Sequence, residues 1–217
     1  MEGRSFLIDA GPDFRQQALR HKIDHLDGLF LTHTHFDHIA GVDELRIYYV
    51  KYKKPIPCLL SKESFLDLKS RYDYLFEPIG QAPTLSAQLD LNILEKDQAN
   101  IFFEGIEVHY FSYFQGKMKV TGYRVEDFAY VSDIRDYDET IFSSLTGVKM
   151  LILSALSDQK SHLHLSLDEA IAFAKRVKAK MTYIIHMNHA LDHETTNRKL
   201  PKEVQLAYDG LEIELGQ

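Results

Sequence analysis

Four side chains with metal-ligand chemistry crowd into the segment Thr32-His33-Thr34-His35-Phe36-Asp37-His38. Surface histidines are usually scattered. These come directly after Gly28-Leu29-Phe30-Leu31, an apolar run that reads as a buried strand. In extended backbone His33 and His35 point to one side and can share a cation. Asp37 and His38 lie past a bend and face a neighbouring position. Imidazole and carboxylate suit zinc, manganese or iron, and the lack of thiolates argues against a structural cysteine-type zinc site.

Two further apolar runs end in the same chemistry. Ala129-Tyr130-Val131-Ser132 delivers Asp133, and Thr182-Tyr183-Ile184-Ile185 delivers His186. Two dications about 3.5–4 Å apart repel strongly and need an anionic bridge. Asp133 is the best-placed carboxylate for that role, and His186 could complete the second position. Ser166-Leu167-Asp168-Glu169 has the form of a capping box. His164 lies closer than His162 to that helix start, which favours an anion, so His164 is the better candidate for contacting substrate. His189 and His193 come after His186 at short range, in positions behind the ligands or facing substrate. His21, His25 and His109 read as ordinary exposed histidines.

The elements that must hold these groups alternate in a mixed α/β pattern. A strand over 5–8 ends at Asp9 and is succeeded by a Gly11-Pro12 turn, after which Asp13 could cap a helix to about His21. Helical patterns cover 42–50 and 62–74. Strands are expected over 101–103, 106–114, 119–125, 128–131, 150–153 and 182–185. Ser166 should start a helix that runs to about Val177, and a strand over 211–215 should close the chain.

At 217 residues and 45% hydrophobic content, a single domain over 1–217 with a real core is expected. The net charge of -7 would repel a long polyanion, so a small substrate is expected rather than extended nucleic acid. Lys51-Tyr52-Lys53-Lys54, the densest basic run, reads as a solvated loop. The single cysteine, Cys58, lies in an apolar run and reads as a small buried hydrophobe. No apolar stretch is long enough to span a membrane and no signal peptide opens the chain, which together favour a reducing cytoplasm.

The segment 32–38 is similar to the T-H-x-H-x-D-H signature of the metallo-β-lactamase superfamily. The flanks resemble one branch of it, which includes the phosphodiesterase of the carbon–phosphorus lyase pathway. They are Leu7-Ile8-Asp9-Ala10-Gly11-Pro12-Asp13-Phe14-Arg15, Gly122-Tyr123-Arg124, the run 129–133, His164-Leu165-Ser166-Leu167 and Thr196-Asn197-Arg198-Lys199-Leu200-Pro201.

The resemblance implies an αββα sandwich and two divalent ions, zinc or manganese. It implies that His33 and His35 bind one ion, that Asp37, His38 and His186 bind the other, and that Asp133 bridges. Asp9 would support the ligand loop from behind, with His189 another candidate there. Asp37 and His164 are the catalytic candidates, His164 at the scissile phosphate or the leaving group. The reaction implied is hydrolysis of small cyclic or nucleotide-like phosphodiesters by a hydroxide held between the ions.

Two departures qualify it. Relatives carry His-Gly where Gln115-Gly116 stands, so an expected ligand is an amide, a weaker donor to zinc but acceptable to manganese. That raises the alternative of a weakened or inactive metal-binding relative. The strand bearing Asp9 also lacks the longer lead-in of relatives, which suggests missing or truncated N-terminal strands and an uncovered edge inviting a homodimer. A nuclease like the tRNA 3′-processing enzymes would need a basic exosite or arm, and none is evident.

Overall fold

The computed structural model describes residues 3–76 and 85–215. It comprises two compact units, Met1–Lys96 and Asp97–Gln217.

Among the described residues, the first unit holds a parallel sheet of four strands: β1 (Phe6–Ile8), β2 (Gly28–Phe30), β3 (Ile56–Ser61) and β4 (Leu89–Leu94), side by side in that order. Parallel neighbours require crossovers, and short helices supply them: α1 (Phe14–Arg20), α2 (Phe36–Ile39), α3 (Arg46–Tyr52) and α4 (Lys62–Arg71). Every residue of β3 is buried, as a central strand covered on both faces should be. Leu29, Leu31, Cys58, Leu60, Ile39, Leu45 and Leu68 form the centre of its core. Cys58 is thus the buried hydrophobe expected of it.

The second unit holds seven strands: β5 (Gln98–Phe103), β6 (Ile106–Gln115), β7 (Met118–Val125), β8 (Phe128–Val131), β9 (Met150–Ser154), β10 (Met181–Ile185) and β11 (Val204–Leu206). Strands β5 to β8 form an antiparallel meander, and β8 to β11 run parallel. The first hairpin turns on Glu104 and Gly105, both at positive φ, as a two-residue loop demands. Crossovers use α5 (Ile141–Ser144), α6 (Leu167–Val177) and α7 (His193–Asn197). The core gathers Phe111, Tyr113, Val131, Leu151, Leu153 and Phe173.

Helix α6 begins on the expected capping box, with Ser166 and Glu169 each bonded to the other's amide, and ends at Val177. Several local expectations are corrected. Asp13 precedes α1 but its side chain makes no capping bond, and the helix stops at Arg20. The pattern over 42–50 divides into a 3-10 turn, Val42–Leu45, and α3. Helix α4 ends at Arg71, and Asp73–Phe76 is a separate 3-10 turn. Residues 211–215 form no strand. Their alternation is only half-buried, and Val204 and Leu206 take the place beside β10 instead.

Candidate metal centre

In the first unit, β2 runs into the histidine segment, with the Leu31 amide donating to Leu59 O at 2.9 Å. Asp9, just past β1, organises that segment. Its carboxylate accepts from the Thr32 amide at 2.8 Å and hydroxyl at 2.7 Å, and from His38 Nδ1 at 2.6 Å. A carboxylate acceptor fixes the proton on His38 Nδ1 and leaves the lone pair on Nε2. The Thr32 hydroxyl spends its proton on Asp9, so its oxygen accepts from His33 Nδ1 at 2.9 Å and turns the His33 Nε2 lone pair outward. His33 Nε2 lies 3.0 Å from His35 Nδ1, and the His33 and His38 rings are 4.1 Å apart. His35 stands at the start of α2, whose single turn carries Asp37 and His38. His38 is buried; the Asp37 side chain, with Oδ2 3.4 Å from His38 Nε2, is more than half exposed.

Close backbone approach fixes this turn. A Cβ on Gly11 would lie 2.4 Å from the Asp37 carbonyl oxygen. From α4, Asp67 accepts from the Thr34 hydroxyl and pairs with Arg71, whose guanidinium donates to Thr34 O at 3.0 Å. Asp67 and Arg71 carry no signal of their own in the sequence. Thr32 opens the motif, whereas Asp67 and Arg71 lie beyond the next strand, on α4.

In the second unit, β8 leads through Ser132, whose carbonyl accepts from the Tyr113 hydroxyl at 2.7 Å, to the fully buried Asp133. Asp133 Oδ1 lies 3.2 Å from His164 Nδ1 and 3.2 Å from His186 Nε2. The two rings stack 26° from parallel with centroids 5.0 Å apart. Ligand atoms of Asp133, His164 and His186 all lie within 4.8 Å of one another. Gln115, the last residue of β6, is buried and brings Nε2 to 3.0 Å from His164 Nε2. Arg135 donates to Glu169 at 3.0 Å and to His164 O at 3.5 Å, tying the loop after β8 to the start of α6.

Asp9, Asp133 and His186 are all at positive φ, 58°, 51° and 62°, where residues other than glycine are uncommon. Each stands just beyond an apolar strand. Such strain costs on the order of 1–3 kcal/mol and concentrates at functional sites.

The other histidines stand apart. His189 is exposed in the turn after His186 and lies outside this group. His193 bonds Leu206 O at 3.1 Å. His21, His25 and His162 are exposed. His109, expected at the surface, is half-buried, bonds Asn100 at 2.6 Å and stacks on Phe111. Burial, and secondarily Arg124, lowers its pKa.

In each unit the candidate donors are imidazole and carboxylate, and in the second a buried amide stands beside them, the Gln115 Oε1 atom being buried with no hydrogen-bond partner. That donor chemistry fits a divalent cation.

Residues 4–187 match the model of the beta-lactamase superfamily domain. The chain belongs to the β-lactamase superfamily. It has the metallo-β-lactamase fold, and its family is one of hydrolases. A diphosphatase from the PhnP family is similar over all of this chain and 82% of its own, with 32% identity and a TM-score of 0.87. Human tRNase Z, short form, has a TM-score of 0.75 over all of this chain and 90% of its own at 19% identity, a likeness of fold alone. An octanoyltransferase of Porphyromonas gingivalis is 28% identical over 214 residues, 97% of this chain. This chain spans 42% of the length of that relative.

Proposed function

We propose that the chain is a metal-dependent phosphodiesterase acting on small cyclic or nucleotide-like phosphodiesters. One observation carries this reading: Asp133 Oδ1 meets imidazole nitrogens of His164 and His186 at 3.2 Å each. Further support comes from similarity along the whole chain to a diphosphatase of the PhnP family.

In this reading the ions are zinc or manganese, and His33, His35, Asp37, His38, Asp133 and His186 are ligands. Divalent ions would acidify a water and offset charge building on the phosphoryl oxygens. The chain's own residues do the positioning. Asp9 holds His38, and Thr32 holds His33, each in the tautomer that presents Nε2. Asp37, open to solvent, serves as proton acceptor for the attacking water.

Octanoyl transfer, named for the Porphyromonas relative, is not adopted. This chain spans less than half of that protein. Its single thiol, Cys58, is buried and pushed up in pKa by burial and by Asp9, which leaves it protonated and poorly nucleophilic. A second reading, a weakened or inactive metal-binding relative, is favoured only by Gln115. One ion per chain without turnover would mark it.

Turnover of an aryl phosphodiester under zinc and manganese tests the proposal. Asp133→Ala should abolish it, and unchanged turnover in that variant refutes the assignment.

A further inference from the structure

We infer that Asp67 and Arg71, an ion pair on α4, are positioning residues that set how His33 and His35 face a metal ion. The inference rests on the reading of the site as a metal centre, and all the residues it uses belong to the first unit.

The geometry is a closed ring around Thr34. The Thr34 hydroxyl donates to Asp67 Oδ2. Arg71 meets the same carboxylate twice, with Nη2 2.7 Å from Oδ2 and Nε donating to Oδ1 at 3.2 Å. Its Nη1 donates to the Thr34 carbonyl oxygen at 3.0 Å, so the side chain and the backbone of one residue are gripped together. Local structure makes this possible. Strand β3 runs parallel beside β2 and ends at Ser61, whose side chain caps α4 by accepting from the Ser64 amide. Helix α4 therefore starts at the end of the sheet where the histidine segment leaves β2. Asp67 and Arg71 are four residues apart and share one helix face.

Thr34 stands between His33 and His35. Side chains alternate along extended backbone, and His35 is extended at φ −64° and ψ 152°. Thr34 is buried and turned to α4, which leaves the flanking rings to the opposite side, where His33 Nε2 lies 3.0 Å from His35 Nδ1. The other anchors act elsewhere: the Thr32 hydroxyl holds the His33 ring at 2.9 Å, and Asp9 holds His38 at 2.6 Å. The ring on Thr34 fixes the stretch of backbone that sets the spacing of His33 and His35. With side chains 43% and 35% exposed, the Arg71–Asp67 pair adds little to folding stability. Its loss should therefore be felt in metal affinity rather than in melting.

Calorimetric titration of manganese and of zinc into the metal-stripped protein tests this, with thermal melts of the same stripped forms. His35→Ala identifies the binding event that depends on His35. Asp67→Ala, Arg71→Ala and Thr34→Val should each weaken that event about tenfold or more while melting close to wild type. Thr34→Ser keeps the hydroxyl and should bind as the wild type does. Asp67→Ala and Arg71→Ala change partly exposed side chains and decide alone should Thr34→Val fail to fold. Wild-type affinity in either of those variants overturns the inference, as does a lowered Tm without lost affinity. So does Thr34→Ser binding as weakly as Thr34→Val. A wild-type protein that binds no cation, or a His35→Ala variant that binds as the wild type does, is a different result. It overturns the assignment of His35 as a ligand, and this inference with it.

Discussion

Asp9 Oδ2 lies 2.6 Å from His38 Nδ1, while the other carboxylate oxygen holds the Thr32 amide at 2.8 Å. One side chain thus sets the tautomer of a ligand and the path of the segment that carries His33. Asp9→Ala should lower metal affinity about 10- to 100-fold, read by titration calorimetry. Asp9→Asn tolerates the same left-handed backbone and isolates the effect of the charge. Wild-type affinity in Asp9→Ala would contradict this account of His38.

Gly11→Ala tests the packing of the turn that bears Asp37. Its Cβ would stand 2.4 Å from the Asp37 carbonyl oxygen, a backbone atom that must move to admit it. A destabilisation of about 1–3 kcal/mol is expected, with a lower Tm in thermal unfolding. An unchanged Tm would mean that the two segments do not approach as described.

Glu169 gives the second unit a pH dependence. Burial alone would raise its pKa, but the Ser166 amide and then Arg135 outweigh it, and the net shift is downward. A carboxylate with a depressed folded pKa contributes stability above its unfolded value, about 4.3, that is lost as pH falls through the folded one. Wild type should therefore melt above Glu169→Gln at pH 7, with the gap closing as the solution is acidified towards pH 3. A gap independent of pH would rule out the ionic contribution.

Cys58 should resist thiol reagents in the folded chain, because burial raises its pKa and shields the sulfur. One thiol per chain should react after denaturation. Rapid labelling under native conditions would show that β3 is not buried.

The strands that lead to the candidate ligands within each unit were legible because each is a largely apolar run that stops at a polar group: β2 before Thr32 in the first unit, β8 before Ser132 and Asp133 and β10 before His186 in the second. Strand β4, Leu-Asp-Leu-Asn-Ile-Leu, is an edge strand with polar residues facing out, so its run is interrupted, and β11 is only three residues long. The capping box of α6 was legible because its two partners are three residues apart. Asp67 and Arg71 were not, since their grip on Thr34 depends on the crossover that brings α4 back. The positive φ angles of Asp9, Asp133 and His186 left no trace either. Glycine would have announced such a turn, but only a carboxylate or an imidazole can do the chemistry.

The most direct measurement is hydrolysis of an aryl phosphodiester by metal-stripped protein reloaded with manganese or zinc, alongside His38→Ala treated identically. Turnover should appear on reloading in the wild type and fall by at least about a hundredfold in His38→Ala, since a lost ligand weakens the hold on the ion that the reaction needs. Equal turnover in the two proteins, or turnover that persists without metal, would contradict the account.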